Sequence, residues 1–150
     1  MWGLLAGFAR QQPPHITTKR QQIAPKKVYP IDTGLARAIG FTFSPNTGRR
    51  LENAAFLALR RRTQEIYYYT TTGGYEVDFY LPDTSELMQV TQNLDMTTTC
   101  GREVRAMADA MQALSLSNAS ILTEANAPAI DEGGLTVEIR SLAEWLLEGG

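Results

Sequence analysis

The stretch "GGYEVDFYLPDTSELMQVTQ", residues 73–92, decides the fold because it contains two strands joined by a short turn. Its runs "YEVDFYL" and "ELMQVTQ" are rich in Val, Phe, Tyr and Leu, which favour strands, and the four-residue link "PDTS" favours an antiparallel pair. Residues 65–70, "EIYYYT", precede the Gly73-Gly74 turn and add a third strand. The sequence therefore predicts a three-stranded antiparallel meander.

Helical patterns flank this meander on both sides. Residues 49–62, "RRLENAAFLALRRR", contain no Gly or Pro, and residues 100–116 place apolar side chains at helical spacing. Two further strands, "ASILT" and "LTVEIR", precede a last helix whose start carries the capping-box pair Ser141 and Glu144. We expect an α/β fold of the α+β type, with a central mixed sheet flanked by helices. The expected buried positions of the two long helices are Leu51, Ala55, Phe56, Ala58, Leu59, Val104, Met107, Met111 and Leu114.

Composition bounds the class of protein. The chain has 150 residues, a net charge of -2, one cysteine and one histidine. A single cysteine excludes an intrachain disulfide and is typical of a reducing cytoplasm, and Cys100 with His15 is too few for a zinc site. The net charge predicts no bulk attraction to nucleic acid or to an anionic membrane. No stretch is long and apolar enough to span a bilayer.

The first 25 residues are predicted to lie outside the folded domain. Residues 1–10, "MWGLLAGFAR", are interpreted as the end of a helix or a docking segment. Residues 11–27 hold three prolines and scattered basic residues, which favours a solvated linker over a basic nucleic-acid tail. Residues 28–31 suggest a short extended piece, which Pro30 places at a sheet edge or outside a ladder. We therefore divide the chain into an N-terminal segment and linker, residues 1–25, and one domain, residues 26–150.

Polar residues of the meander form a candidate site. Asp78 lies on the second predicted strand with Glu76 on the same face, and Gln89 and Thr91 share a face of the third. Glu52 adds a helix carboxylate. Nucleases that cut with Mg²⁺ need clustered carboxylates and gain from a nearby cation. Without a family context, this pattern favours an ordinary hairpin.

The cation for such a site is missing from the third strand, since Thr91 carries no charge. No lysine follows Lys27, so the expected substitutes are arginines, either Arg102 or Arg105 on the next helix, or one of residues 60–62. The simpler interpretation of residues 60–62 is that cations at a helix end suit its dipole. The sequence contains no P-loop motif of its own and no Ser-His-Asp set.

The order of motifs resembles the C-terminal domain of unknown function of bacterial and archaeal AAA-type ATP-binding proteins. The resemblance covers roughly residues 26–148, and its most specific stretches are "KVYPIDTGL" and "LEN". In those proteins a P-loop ATPase domain and a winged-helix region come first. The domain is similar to the restriction-endonuclease-like, PD-(D/E)XK superfamily, and the ATPase domain is absent from this chain.

The resemblance implies a role for each candidate residue. Glu52 matches the helix acid, Asp78 the central acid, Gln89 the second acid and Thr91 the lysine position. Glu52 and Asp78 would then be metal ligands, and Mg²⁺ the implied ion if the site is functional. This chain follows a branch that reads Gln-Val followed by a residue other than lysine. Conversion of two of the four positions predicts loss of cleavage.

Three functions follow as hypotheses. The first is a non-catalytic nuclease-like accessory module that binds an ATPase domain or nucleic acid. The second is an active metal-dependent nuclease that uses Glu52, Asp78 and Gln89 with an arginine. The third is a structural domain that forms homodimers through exposed tyrosines and the apolar start.

Overall fold

The computed structural model describes residues 5–12, 26–32, 34, 38, 47–94 and 99–150. Its elements, in chain order, are β1 (Leu5–Gln12), β2 (Lys26–Pro30), α1 (Thr47–Arg62), β3 (Tyr67–Thr70), β4 (Glu76–Leu81), β5 (Glu86–Val90), α2 (Thr99–Leu114), β6 (Asn118–Thr123), β7 (Ala127–Glu132), β8 (Leu135–Ser141) and α3 (Leu142–Leu147). No helix of this described part is long and apolar enough to cross a membrane.

Eight strands of the described residues form one mixed sheet in the order β2-β1-β3-β4-β5-β6-β8-β7. The predicted meander is confirmed, because β3, β4 and β5 pair antiparallel in sequence order. Parallel pairs join β1 to β3, β5 to β6 and β6 to β8. The fold is therefore mixed α+β with a mixed sheet flanked by helices, as expected.

One face of the sheet is covered by α1 and α3, and the other by α2. On the first face, Phe56 and Leu59 of α1 and Trp145 of α3 are buried against the sheet. On the second face, Met107 and Met111 of α2 are fully buried. The two long helices, α1 and α2, therefore bury most of the apolar residues that their spacing predicts, and Leu51 and Leu114 are partly buried. Ser141 caps α3 as predicted, its hydroxyl accepting the backbone N–H of Glu144.

The N-terminal predictions need correction. The interpretation of residues 1–10 as a helix end is wrong, because residues 5–12 form β1, which lies between β2 and β3 in the sheet. The predicted linker, residues 11–27, ends in strand at both sides, and its middle, residues 13–25, lies outside the described residues. The apolar run of residues 4–8 fits a strand inside a sheet as well as it fits a helix, so periodicity alone did not separate them.

The β2 strand is an edge strand, as Pro30 predicts, because it pairs only with β1 among the described strands. The opposite edge, β7, was not predicted. It forms a hairpin with β8 through Gly133 and Gly134, which both adopt positive φ values of 60° and 82°. Consecutive positive φ angles are those of a tight hairpin turn, which glycine adopts without strain.

The proposed exposure of the hairpin tyrosines is only partly found. Tyr68 and Tyr69 are buried on opposite faces of the sheet, at 3% and 1% exposure, and Tyr67 is half-buried. Tyr75 is exposed. This removes most of the aromatic surface on which the homodimer hypothesis rested.

The two sides of the core provide a matched stability test. Leu59 is fully buried between α1 and the sheet, whereas Leu147 at the end of α3 is 89% exposed. We expect Leu59→Ala to lower the free energy of unfolding by about 2–5 kcal/mol, through lost burial and a cavity. Leu147→Ala should change it by less than about 0.5 kcal/mol. Urea denaturation followed by circular dichroism measures both, and equal losses would contradict the packing described.

Candidate functional site

The candidate acids meet around one ammonium group. The Nζ atom of Lys27 lies 2.9 Å from Glu52 Oε1, 2.8 Å from Glu76 Oε1 and 2.7 Å from Asp78 Oδ1. These four residues come from three elements, since Lys27 lies on β2, Glu52 on α1, and Glu76 and Asp78 on β4. We call this set, Lys27, Glu52, Glu76 and Asp78, the acid cluster. The sheet and α1 therefore bring together the two acids that the sequence singled out.

Local sequence explains how each side chain reaches the cluster. Lys27 and Tyr29 are two residues apart on a strand, so both face α1. The Tyr29 hydroxyl donates a 2.6 Å hydrogen bond to Glu52 Oε1, and its ring stacks on Phe56 with centroids 4.0 Å apart. Asn53, the next residue of α1, donates to the Pro30 carbonyl. Helix α1 therefore contacts β2 through an ion pair, a stacked pair of aromatic rings and a hydrogen bond to a backbone carbonyl.

Asp78 is the most buried member of the acid cluster. It is 7% exposed, and its second oxygen, Oδ2, accepts the Val90 N–H at 3.0 Å. The register between β3 and β4 shifts between Tyr67 and Tyr69, on the strand segment next to Asp78. Such irregularities redirect side chains locally, which suits a carboxylate placed within an apolar strand.

Gln89 lies next to the acid cluster, whereas Thr91 lies outside it. Gln89 lies beside Asp78, and its side-chain oxygen accepts the Asp78 backbone N–H at 3.0 Å. Thr91 follows the end of β5, and its hydroxyl donates to the Asn93 carbonyl at 3.4 Å. The structure therefore places three of the four predicted site residues together. Thr91 contributes no charge and makes no contact with the cluster among the described hydrogen bonds.

The cation of the site is Lys27, which corrects the expectation of an arginine. Arg102 pairs with its neighbour Glu103, Arg60 donates to the Thr63 carbonyl, and Arg62 pairs with Glu86. Lys27 was missed because it lies 51 residues before Asp78, in a segment interpreted as linker. The signal was present in the "KVY" pattern, whose first and third residues share one face of an extended strand.

Burial and charge together shift the acid–base properties of the cluster. Three carboxylates and one ammonium leave a formal charge of -2 in a site where Glu52 and Asp78 expose only 18% and 10% of their side chains. Burial and the charge of Glu52 raise the pKa of Asp78 to about 6, against the opposing effect of Lys27. Burial lowers the pKa of Lys27, but Asp78 and Glu52 outweigh it, and the net direction is upward. Burial and Glu52 also raise the pKa of Tyr29.

In this arrangement the described residues do not fit a metal ion. They contain no group of three His, Cys, Asp or Glu residues placed to hold one. Both oxygens of Asp78 already have hydrogen-bond donors, and the Gln89 oxygen accepts a backbone N–H instead of pointing to the cluster centre. Mg²⁺ needs oxygen ligands at about 2.0–2.1 Å in a near-octahedral shell, and here an ammonium lies between the acids.

Comparisons with known proteins add one relative. No protein-family model matches the chain. An uncharacterized protein of Methanocaldococcus jannaschii is 38% identical over 107 residues, a match that covers 69% of this chain. The match covers 24% of that protein, so the chain spans about a quarter of its relative's length. No solved structure matches.

Removal of the ammonium should destabilise the fold. We expect Lys27→Met to lower the free energy of unfolding at neutral pH by about 3 kcal/mol, because partly buried acids would lose their counter-charge. The loss should shrink toward pH 4, where protonation relieves the repulsion among the acids. Arg61→Met, at an exposed position without an ion pair to any described residue, is the control. A Lys27→Met loss that is equal at both pH values would contradict the electrostatic cause.

The raised pKa of Asp78 gives a second test with a defined sign. Because its pKa is about 6 in the fold and 3.8 ordinarily, the folded protein binds more protons at this group between those values. The stabilising contribution of Asp78 to the free energy of unfolding is therefore full below about pH 4 and is lost as the pH rises to 6. We expect the free energy of unfolding of the wild type, minus that of Asp78→Asn, to fall by about 1–3 kcal/mol as the pH rises from 4 to 6.

Urea denaturation at several pH values between 4 and 7 measures this difference. Asp109→Asn, on the exposed side of α2, is the matched control for replacing one aspartate by asparagine. A difference that rises with pH would mean that Lys27 outweighs burial and that the pKa of Asp78 is depressed.

Proposed function

We propose that this chain is a non-catalytic, nuclease-like accessory module that binds a protein or nucleic-acid partner within a cytoplasmic AAA-type ATPase system. The observation that supports the proposal most is the position of Lys27. Its ammonium lies between the carboxylates of Glu52, Glu76 and Asp78, at 2.7–2.9 Å from each. The charge that a metal ion would provide is thus already supplied by the chain itself.

The two replaced positions support the same proposal. Gln89 offers a neutral oxygen where the resemblance implies an acid, and that oxygen is engaged by the Asp78 N–H. Thr91 offers no charge where the resemblance implies a lysine. The cluster instead fastens β2 and α1 to β4, which is a structural role for residues of a nuclease-like site.

The ATPase association rests on the resemblance and on size. The matched relative is about four times longer than the region it shares with this chain, which is compatible with a domain that works beside others. The relative is named only as an uncharacterized protein, so its name assigns no activity. An ATPase partner therefore stays a proposal, to be tested by co-purification with separately expressed ATPase chains from the same genome.

A second candidate, a metal-dependent nuclease, is favoured by one specific observation. Lys27 supplies next to Glu52 and Asp78 the cation that the sequence lacks at Thr91. Glu76 supplies a third carboxylate where Gln89 has none. A rearranged site with the same kinds of groups is chemically reasonable, and only a cleavage assay separates it from the first proposal.

The assay uses supercoiled plasmid, single-stranded DNA and RNA with purified wild-type chain, in Mg²⁺ and separately in Mn²⁺. We expect all substrates to stay intact, because the Lys27 ammonium lies between the acids, where a metal ion would have to bind. Asp78→Asn and Lys27→Met are assayed in parallel, and Arg105→Gln, at an exposed position of α2, serves as a matched surface control.

Cleavage by the wild type that disappears in Asp78→Asn and Lys27→Met, but not in Arg105→Gln, would establish the nuclease instead. Cleavage that persists in all four proteins would indicate a contaminating enzyme. Circular dichroism of each variant shows that loss of activity is not loss of folding.

A further inference from the structure

Helix α1 is strongly basic within an acidic protein. Five of its sixteen residues are arginines, and its first turn contains no acid. Its one acidic residue, Glu52, faces inward and is engaged by Lys27 and Tyr29. The chain as a whole carries a net charge of -2, so this helix is a local departure from the overall charge.

Among the described residues, three of these arginines have neither an ion pair nor a side-chain hydrogen bond. Arg62 pairs with Glu86 at 2.9 Å, and Arg60 donates to the Thr63 carbonyl. The other three, Arg49, Arg50 and Arg61, are exposed and make no ion pair with any described residue. We call Arg50 and Arg61, which share one side of the helix, the arginine face.

The arginine face lies on the outer side of α1. At 100° per residue, Arg50 and Arg61 lie about 180° and 200° from the fully buried Leu59. They are eleven residues apart, so they point in nearly the same direction about 16 Å apart along the axis. Arg49 lies about 100° around the helix from Arg50 and only about 80° from Leu59, so it is not part of this row. Arg50 and Arg61 are directed away from the core and from Glu52.

Folding explains only part of this row. Cations in the last turn of a helix suit its dipole, which covers Arg61. Arg49 and Arg50 are in the first turns, near the positive end of the dipole, where a cation costs stability of about 0.3–1 kcal/mol. The first turn of α1 contains no acid, and neither arginine makes an ion pair with a described residue. A surface that is costly to the fold and unpaired is expected where an anionic partner binds.

The pattern fits phosphates in a row. Guanidinium groups bind phosphate oxygens with two parallel hydrogen bonds, which an ammonium does not do. A nucleic-acid backbone presents an uninterrupted series of anions along a line, whereas protein surfaces intersperse charges of both signs. Arg50 and Arg61, aligned without an acid on their side of the helix, match the first kind of partner.

We propose that the arginine face binds the phosphate backbone of nucleic acid, without preference for sequence. The proposal rests on the partner-binding role above and names its partner class. It uses residues on the opposite side of α1 from Glu52, so binding and the acid cluster can be varied separately.

Fluorescence anisotropy tests the proposal with a fluorescein-labelled DNA duplex of about 20 base pairs, in EDTA, between about 25 and 200 mM KCl. The double variant Arg50→Gln, Arg61→Gln removes two charges and keeps residues that favour a helix. The matched control is Arg102→Gln with Arg105→Gln, which removes two exposed charges from α2. We expect the α1 variant to bind at least about tenfold more weakly and its salt slope to fall by about 1.8.

The control should stay within about twofold of wild type, and an unrelated duplex of equal length should bind equally. Equal binding by the α1 variant and wild type would overturn the proposal, as would no binding by wild type at the lowest salt. Tighter binding of labelled polyglutamate than of DNA would assign the face to an acidic protein instead. Because EDTA prevents metal-dependent cleavage, these outcomes are independent of whether the chain cuts nucleic acid.

Discussion

The sharing of one ammonium among three carboxylates is the interaction on which the rest of this structure depends. Lys27 joins an edge strand, a helix and a central strand at one point, with three contacts of 2.7–2.9 Å. Opposite charges in a poorly hydrated site stabilise only while each has its partner, since an unpaired buried charge is costly. The edge strand β2 is therefore fixed by its charge as well as by its pairing with β1.

This interaction also explains why two distant motifs belong together. The "KVYP" stretch supplies Lys27, Tyr29 and the Pro30 carbonyl, and the "LEN" stretch supplies Glu52 and Asn53. Lys27 and Tyr29 both donate to Glu52, and the Pro30 carbonyl accepts from Asn53. Stacking of the Tyr29 ring on the helix through Phe56 adds an apolar contact to the polar ones. In the proposed function, residues of a nuclease-like site have become the fastening of β2 to α1.

The two sides of α1 carry opposite charges. On the inner side of α1, Glu52 belongs to the acid cluster, which keeps a formal charge of -2. The outer side carries the unpaired arginine face. An anionic backbone would be repelled by the first and attracted by the second. A protein with this division can bind nucleic acid on one side of the helix while the residues of its acid cluster stay engaged with one another. The proposed accessory role and the proposed nucleic-acid surface are thus compatible within one helix.

The sequence by itself determined the meander, the two long helices and their buried faces, because residue spacing records which side of a local element meets the core. The grouping of Glu52, Asp78 and Gln89 came from the family resemblance, because the residue pattern without it favoured an ordinary hairpin. Only the tertiary structure decided that Lys27 is the cation of the site and that β1 and β7 complete the sheet. Those features depend on pairing between distant segments, and a lysine in a proline-rich stretch carries no local sign of the three carboxylates it will meet.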